Sequence, residues 1–371
     1  MIGTEDVRRL ARFDGDGAPV LSVYLDVRPE RQLERAYLIA FKDLVRDARD
    51  GLDDAGRQAL EREAERVRAW LEDTEAGGKG AIAFSSSERD LWMASFVPVA
   101  VGDALRLEPH PVLAPLLELT DEYEPYVVAA VDRRSAHLYS VALGVIEERD
   151  SWKDFVPGRH DQGGYSQPNY ERHVDTHAER HLARVAEWLG RAYEDEPFNR
   201  LVIAGPEEAT TALRPLLPRP VADRVVAVVR VDREARPAEI LERTLAAEAD
   251  VERDQERQMV DGIVDAIGGR TACGLDETLE SVWLREAFTL VVSKGSHPTG
   301  VECGTCGRLT AGRPATCPAC GSPVDGTVDL VEAASRRVLA ANDGTVEIVH
   351  DAAAERLDQM CGGFAASLRF R

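Results

Sequence analysis

A three-domain α/β protein is what this sequence predicts, and three observations carry the prediction. Helical periodicity alternates with short β-rich runs along the whole chain. The 371 residues exceed one ordinary domain of about 150. The composition, 44% hydrophobic and 30% charged, is that of a chain able to bury cores. No apolar run approaches the roughly 20 residues of a membrane helix. The opening MIGTEDVRRLARFDGDG is charged where a signal peptide is apolar. A cytoplasmic protein without membrane contact is the expectation.

The first domain is expected over residues 1–120. VLSVYLDV (20–27) reads as a strand, helical periodicity runs from about Glu34 to Arg49 and again over 54–73, and Gly77, Gly78 and Gly80 precede two more strands, AIAFSS and LWMASFVPVA. The second domain, 121–269, opens with three β-rich runs in YVVAAVDRRSAHLYSVALGVIEE (126–148), which read as a meander. A loop rich in Gly, Pro and polar residues follows, and loops that long inside a domain are usually functional or disordered. A helix from about Tyr170 to Tyr193 comes next, then strands at 200–206 and 224–231 around a short helix. A charged helix from Pro237 to about Ile267, ended by Gly268 and Gly269, packs one apolar stripe of Ile240, Leu241, Leu245 and Val251. The third domain, 270–371, reads as helix 277–287, strand 288–294, a cysteine-rich insert at 301–325, helix 329–343 and strands at 345–350 and 364–370. Helices alternating with strands predict α/β/α layers there.

Charge narrows the function. Forty-five Lys and Arg against 66 Asp and Glu leave −21, which argues against a protein that coats nucleic acid with a broad basic surface; no DNA partner is expected, and any RNA contact must be local. The window 151–200 is less hostile, with seven Lys/Arg against nine Asp/Glu and four of the eight histidines, His160, His173, His177 and His181.

Four of the six cysteines fall in one short stretch, Cys303-Gly-Thr-Cys306, ten residues, then Cys317-Pro-Ala-Cys320, each pair followed by glycine. Two such knuckles place four thiolates tetrahedrally around Zn2+, so a structural zinc ribbon inserted in the third domain is expected; four thiolates leave no open position for catalysis. A site that once bound metal, or a redox pair, is the competing reading. Cys273 and Cys361 lie far apart and read as plain thiols.

The other signal is Gly163-Gly164-Tyr165-Ser166-Gln167, on the long loop ahead of a helix where Arg172, Thr176, Arg180 and Arg184 recur every fourth residue, with His173, His177 and His181 on the adjoining stripe. One face of that helix is thus basic and suited to phosphate, with Arg172, His173, His177, Arg180 and Arg184 as candidate RNA contacts. An ordinary solvated face, with Asp175 and Glu179 making helix pairs, is the competing reading. His173 and His177 have zinc-pair spacing but lack an HExxH pattern and a third ligand.

The glycine pair and glutamine on an exposed loop resemble the tip of class-1 peptide chain release factors of archaea and eukaryotes. GGYSQ is more similar to the GxxQ variant of bacterial and archaeal release-factor-like proteins and of the eukaryotic peptidyl-tRNA hydrolase of ribosome quality control. The resemblance takes in the meander, the helix ERHVDTHAERHLARVAEWL and the pattern ETLESVWLREAFTLVV…DLVEAASRRVLA…GGFAASLRF, most of residues 120–371, and it implies the three-domain release-factor-like architecture. In release factors the glutamine directly follows the glycines, whereas Tyr165 and Ser166 intervene here, and the N-terminal part has no NIKS-type codon-reading motif. The resemblance therefore implies codon-independent action on stalled or vacant-A-site ribosomes, with the large subunit, peptidyl-tRNA and a translational GTPase as partners.

Glutamine has no useful pKa, but its amide donates and accepts hydrogen bonds at once and can position water or a ribose hydroxyl. Gly163 and Gly164 let the backbone approach an acceptor end without a Cβ clash. The implied activity is peptidyl-tRNA ester hydrolysis with Gln167 orienting the nucleophile. Cleavage of the tRNA acceptor end, or non-catalytic occupation of the A site by a stress or hibernation factor, stay open as alternatives.

Overall fold

The computed structural model describes residues 3–153, 167–341 and 343–369; the side chains of 4, 153 and 167–176 lie outside that description. The architecture is mixed α/β, with three principal sheets and a small fourth. They fall into two compact units, one of residues 123–254 and one of residues 1–122 with 255–371.

The chain opens with helix α1 (Thr4–Ala11) and strand β1 (Val20–Asp26), then α2 (Pro29–Gln32), α3 (Ala36–Ala48), α4 (Asp54–Asp73), β2 (Gly80–Ser86), β3 (Leu91–Val97), β4 (Ala104–Glu108) and α5 (Ala114–Glu122). The strands form an antiparallel sheet in the order β3-β2-β1-β4. β1 is buried throughout. Alternation sends Leu21, Val23 and Leu25 toward α3 and α4, while Ser22 and Tyr24 point the other way. There the Tyr24 hydroxyl donates to Val112 O at 2.7 Å and Ser22 Oγ accepts from Val112 N at 3.0 Å. Asp53 caps α4 by accepting from Gly56 N, and Leu60, Glu63, Ala64, Val67 and Leu71 make its buried face.

Glu63 is the one charged member of that face. It accepts from Ser85 Oγ at 2.7 Å, Ser87 N at 3.1 Å, Ser87 Oγ and Arg62 Nε at 3.2 Å. Burial alone would raise its pKa, but the hydrogen bonds from Ser87 and Ser85 outweigh it and hold the carboxyl below its ordinary range. A depressed pKa contributes stability above the unfolded value of 4.5, lost as pH falls through the folded value. Glu63→Gln is expected to cost about 1–2 kcal/mol at neutral pH and to remove that acid-side loss, read from denaturant melts at pH 7 and at acid pH.

The central unit runs β5 (Tyr126–Val131), β6 (Ser135–Ala142), β7 (Val145–Lys153), α6 (Gln167–Asp195), β8 (Leu201–Gly205), α7 (Glu207–Leu213), α8 (Arg219–Ala222), β9 (Val225–Arg230) and the first part of α9 (Pro237–Asp265). Its sheet is ordered β7-β6-β5-β8-β9, with the meander antiparallel and β8 and β9 parallel to β5. Leu182, Val185 and Leu189 of α6 join Leu213 and Val221 on one face. Ile240, Leu241 and Leu245 of α9 cover the other. The expected stripe on α9 is joined there by Thr244, fully buried with its Oγ1 2.9 Å from the Tyr126 hydroxyl; Val251 is only half-buried. Gly205 has no room for a side chain, since a Cβ would stand 2.1 Å from Val131 O.

The last segment runs β10 (Thr271–Cys273), α10 (Leu275–Trp283), β11 (Ala287–Ser293), β12 (Thr299–Glu302), β13 (Leu309–Ala311), β14 (Val328–Asp329), α11 (Leu330–Ala340), β15 (Thr345–Val349), α12 (Asp351–Cys361) and β16 (Phe364–Leu368). The main sheet, β10-β16-β11-β15, is mixed: β11 and β15 are parallel, and β16 is antiparallel to both its neighbours. α10 and α11 pack one face, and α12 with Val260 and Ile263 of α9 packs the other, giving the expected layers. The small sheet β13-β12-β14 is the insert between β11 and α11.

Two expectations are corrected here. Cys273 and Cys361 are not plain thiols but a disulfide with Cα atoms 4.9 Å apart across a sequence separation of 88. Gly362 and Gly363, both at positive φ, turn the chain from α12 into β16, which pairs with β10 and so brings the two sulfurs together. The second correction concerns α6. It starts at Gln167 rather than near Tyr170, and Pro168 suits that first turn because its missing N–H is not needed there.

Candidate functional site

The candidate residues fall into two constellations. The first is the cysteine cluster. β12 and β13 flank the first knuckle, where Gly307 N donates to Cys303 O at 2.7 Å and Cys303 N to Arg308 O at 2.9 Å. The second knuckle repeats this with Gly321 N to Cys317 O at 2.9 Å and Cys317 N to Ser322 O at 2.8 Å. Both turns put glycine at positive φ, 74° at Gly307 and 75° at Gly321, which a side chain would resist. The four sulfurs lie within 4.8 Å of one another, with Cys303 to Cys320 and Cys306 to Cys317 both at 3.6 Å. Tetrahedral zinc–thiolate bonds of about 2.3 Å separate sulfurs by about 3.8 Å, so this donor set fits such an ion. The Ser322 hydroxyl and backbone N–H lower the pKa of the Cys320 thiol, which favours its thiolate form.

The second constellation is the β7–α6 connection and the helix after it. Gly163, Gly164, Tyr165 and Ser166 lie outside the described residues. Gln167 is the first residue of α6; its side chain, like those of Arg172 and His173, lies outside the description. Trp188 Nε1 donates to Asp150 Oδ2 at 2.9 Å, tying α6 to β7. Further along, α6 obeys its period: Ala178, His181, Leu182, Val185, Ala186, Trp188 and Leu189 are buried, while Arg180 and Arg184 are exposed and His177 is half-buried. Of the histidines on the adjoining stripe, His181 is fully buried on the core side and is therefore not a surface feature. Glu179 and Glu187 share the exposed face with Arg180, Arg184 and Arg191, so that face is more mixed than the arginine spacing suggested.

Sequence reading missed a charged cluster in the same unit. Arg200, at the mouth of β8, is only 7% exposed and pairs with Glu252 at 2.8 Å, Glu248 at 3.3 Å and Glu124. Burial pushes the Glu248 carboxyl up, opposed by Arg200. The planar guanidinium reaches three carboxylates from one position, which an ammonium cannot. Arg200→Lys is expected to cost about 2 kcal/mol in chemical denaturation with the native fold retained.

Comparisons with known proteins agree with the resemblance read from the sequence. Residues 111–249 match the family model described as bacterial archaeo-eukaryotic release factor family 10. The chain is 24% identical over 324 residues to peptide chain release factor subunit 1 of Methanopyrus kandleri, covering 81% of this chain and 77% of that protein. Among solved structures, the archaeal translation termination factor aRF1 is aligned over 100% of this chain and 99% of its own, at 16% identity and a TM-score of 0.27. Dom34 of S. cerevisiae, a translation termination-like factor, is aligned over 99% and 93% at 10% identity and a TM-score of 0.43.

Proposed function

We propose, from the match of residues 111–249 to the model of the bacterial archaeo-eukaryotic release factor family 10, that this chain is a codon-independent peptidyl-tRNA hydrolase acting on stalled ribosomes. The supporting observation is the extent of that match, which takes in β5–β7, the GGYSQ stretch and α6 together. A five-residue motif alone would be weak, and its context gives it meaning.

In this reading Gln167 orients a water against the ester joining the nascent peptide to the terminal ribose. The water oxygen bonds to the carbonyl carbon, the carbon–oxygen bond to the ribose breaks, and the ribose oxygen takes a proton. The products are a free peptide carboxylate and an intact tRNA. The rate gain comes from orientation and from the surroundings supplied by the large subunit. Arg172, His173, His177, Arg180 and Arg184 serve as phosphate contacts along α6, with a translational GTPase as delivery partner and the cytoplasm as the setting. Cys303, Cys306, Cys317 and Cys320 hold a structural Zn2+, which supplies cohesion and no reaction step. The work is divided among segments 1–120, 121–269 and 270–371.

Ribosomes carrying labelled peptidyl-tRNA, incubated with the purified protein while peptide and tRNA 3′ end are both followed, test the reading. Peptide release with full-length tRNA supports it. Shortened tRNA points to acceptor-end cleavage, and binding without change to either product points to A-site occupation; both count against hydrolysis.

A further inference from the structure

Beside the first cysteine knuckle lies a cavity of about 430 Å³ that the hydrolase reading does not use. Its walls are the end of α10, the start of β11, the knuckle at Cys306 and Gly307, the C-terminal turn of α11 and Arg369 after β16. The charged side chains among its described lining residues are Arg285, Arg337 and Arg369, with no acid among them, in a chain of net charge −21. Val282, Ala287, Val338 and the Trp283 indole supply an apolar wall.

The three guanidiniums differ in what already engages them. Arg337 gives Nη2 to Glu302 at 2.6 Å and lies against the knuckle, where a Cβ on Gly307 would stand 3.5 Å from it. Arg369 gives Nη2 to Asp343 at 2.6 Å, Nε to the same carboxylate at 3.4 Å and Nη1 to Arg285 O at 3.3 Å. Each keeps further N–H donors, since a guanidinium has five. Arg285 is exposed and forms no ion pair among the described residues. It also sits at φ 62°, just past the C-cap of α10, where glycine is the usual residue. A tetrathiolate metal site would account for one nearby cation, Arg337, and Asp343 for a second, Arg369, but neither accounts for Arg285.

Converging guanidiniums recognise phosphate. Inorganic phosphate alone would leave the aliphatic wall uncovered in a space of ligand-pocket size, and the Trp283 ring already stacks one guanidinium, that of Arg308 at 5.0 Å. We propose that this cavity binds a nucleotide, its phosphate on Arg285, Arg337 and Arg369 and its apolar body against Trp283 and Val338. Free mononucleotide and a nucleotide unit of an RNA strand share that chemistry. The site is independent of Gln167 and stands or falls separately from the hydrolase reading.

The test is calorimetry on the metal-loaded full chain with three probes: inorganic phosphate, adenosine monophosphate and a short single-stranded oligoribonucleotide. The expected result is saturable binding of a nucleotide probe, tighter than that of phosphate and weakened about tenfold or more by Arg285→Glu. Equal binding of monophosphate and oligonucleotide identifies free nucleotide as the source; binding of the oligonucleotide alone identifies RNA. Arg285→Gly, which relaxes the backbone, is expected to melt no lower than wild type while losing affinity, separating binding from stability. The proposal is overturned if no nucleotide probe saturates, if phosphate binds as tightly as the nucleotide, or if both Arg285 variants bind like wild type.

Discussion

Stripping metal from Cys303, Cys306, Cys317 and Cys320 is expected to melt the ribbon and loosen the helices beside it. The insert is too small to hold itself: β12, β13 and β14 have four, three and two residues. Such sites derive about 10–16 kcal/mol from the ion in small zinc-binding peptides, far more than the few buried side chains here can supply. The damage should spread, because Leu309 of the ribbon belongs to the same core as Val282, Leu330 and Val338. Trp283 Nε1 donates to Cys306 O at 3.1 Å, so tryptophan fluorescence should follow the loss. The measurement is a thermal melt with and without chelator, paired with metal analysis expected to give one equivalent per chain. Cys303→Ser should reproduce the chelated state, and an unchanged melt would show that the four cysteines do not hold a folding metal.

Gln167→Ala is expected to lower single-turnover peptide release by about a hundredfold or more, with ribosome affinity little changed. The size follows from what one positioning or charge-stabilising group contributes in a water-poor site. Affinity should persist because binding is assigned to the arginines of α6, not to the amide. Loss of both together would make Gln167 a binding residue and leave its orienting role without support.

Much of the fold is legible because period decides it. α4 occupies the expected 54–73, and the meander strands fall where the β-rich runs lie. The cysteine cluster is legible for a different reason: its knuckles are local, so spacing alone brings the sulfurs together. What could not be read depends on partners distant in sequence. Cys273 meets Cys361 only through β10–β16 pairing, and Arg200 meets Glu248 and Glu252 only once α9 returns to the sheet. The first and last segments likewise share one compact unit through contacts such as Glu332, whose carboxylate accepts from Leu113 N at 2.8 Å and Ala114 N at 2.7 Å. His181 shares the histidine spacing of α6 yet faces the core, and Ala178, Leu182 and Val185 mark its side of the helix as the inner one.

Water enriched in heavy oxygen gives the most direct test of how the peptide leaves. Stalled ribosomes are treated with the protein in such water, and the released peptide is weighed by mass spectrometry. Hydrolysis of the ester predicts one heavy oxygen in each new carboxylate and tRNA that keeps its full 3′ end. Peptide that stays attached to a tRNA fragment, or that carries no heavy oxygen, would contradict the account.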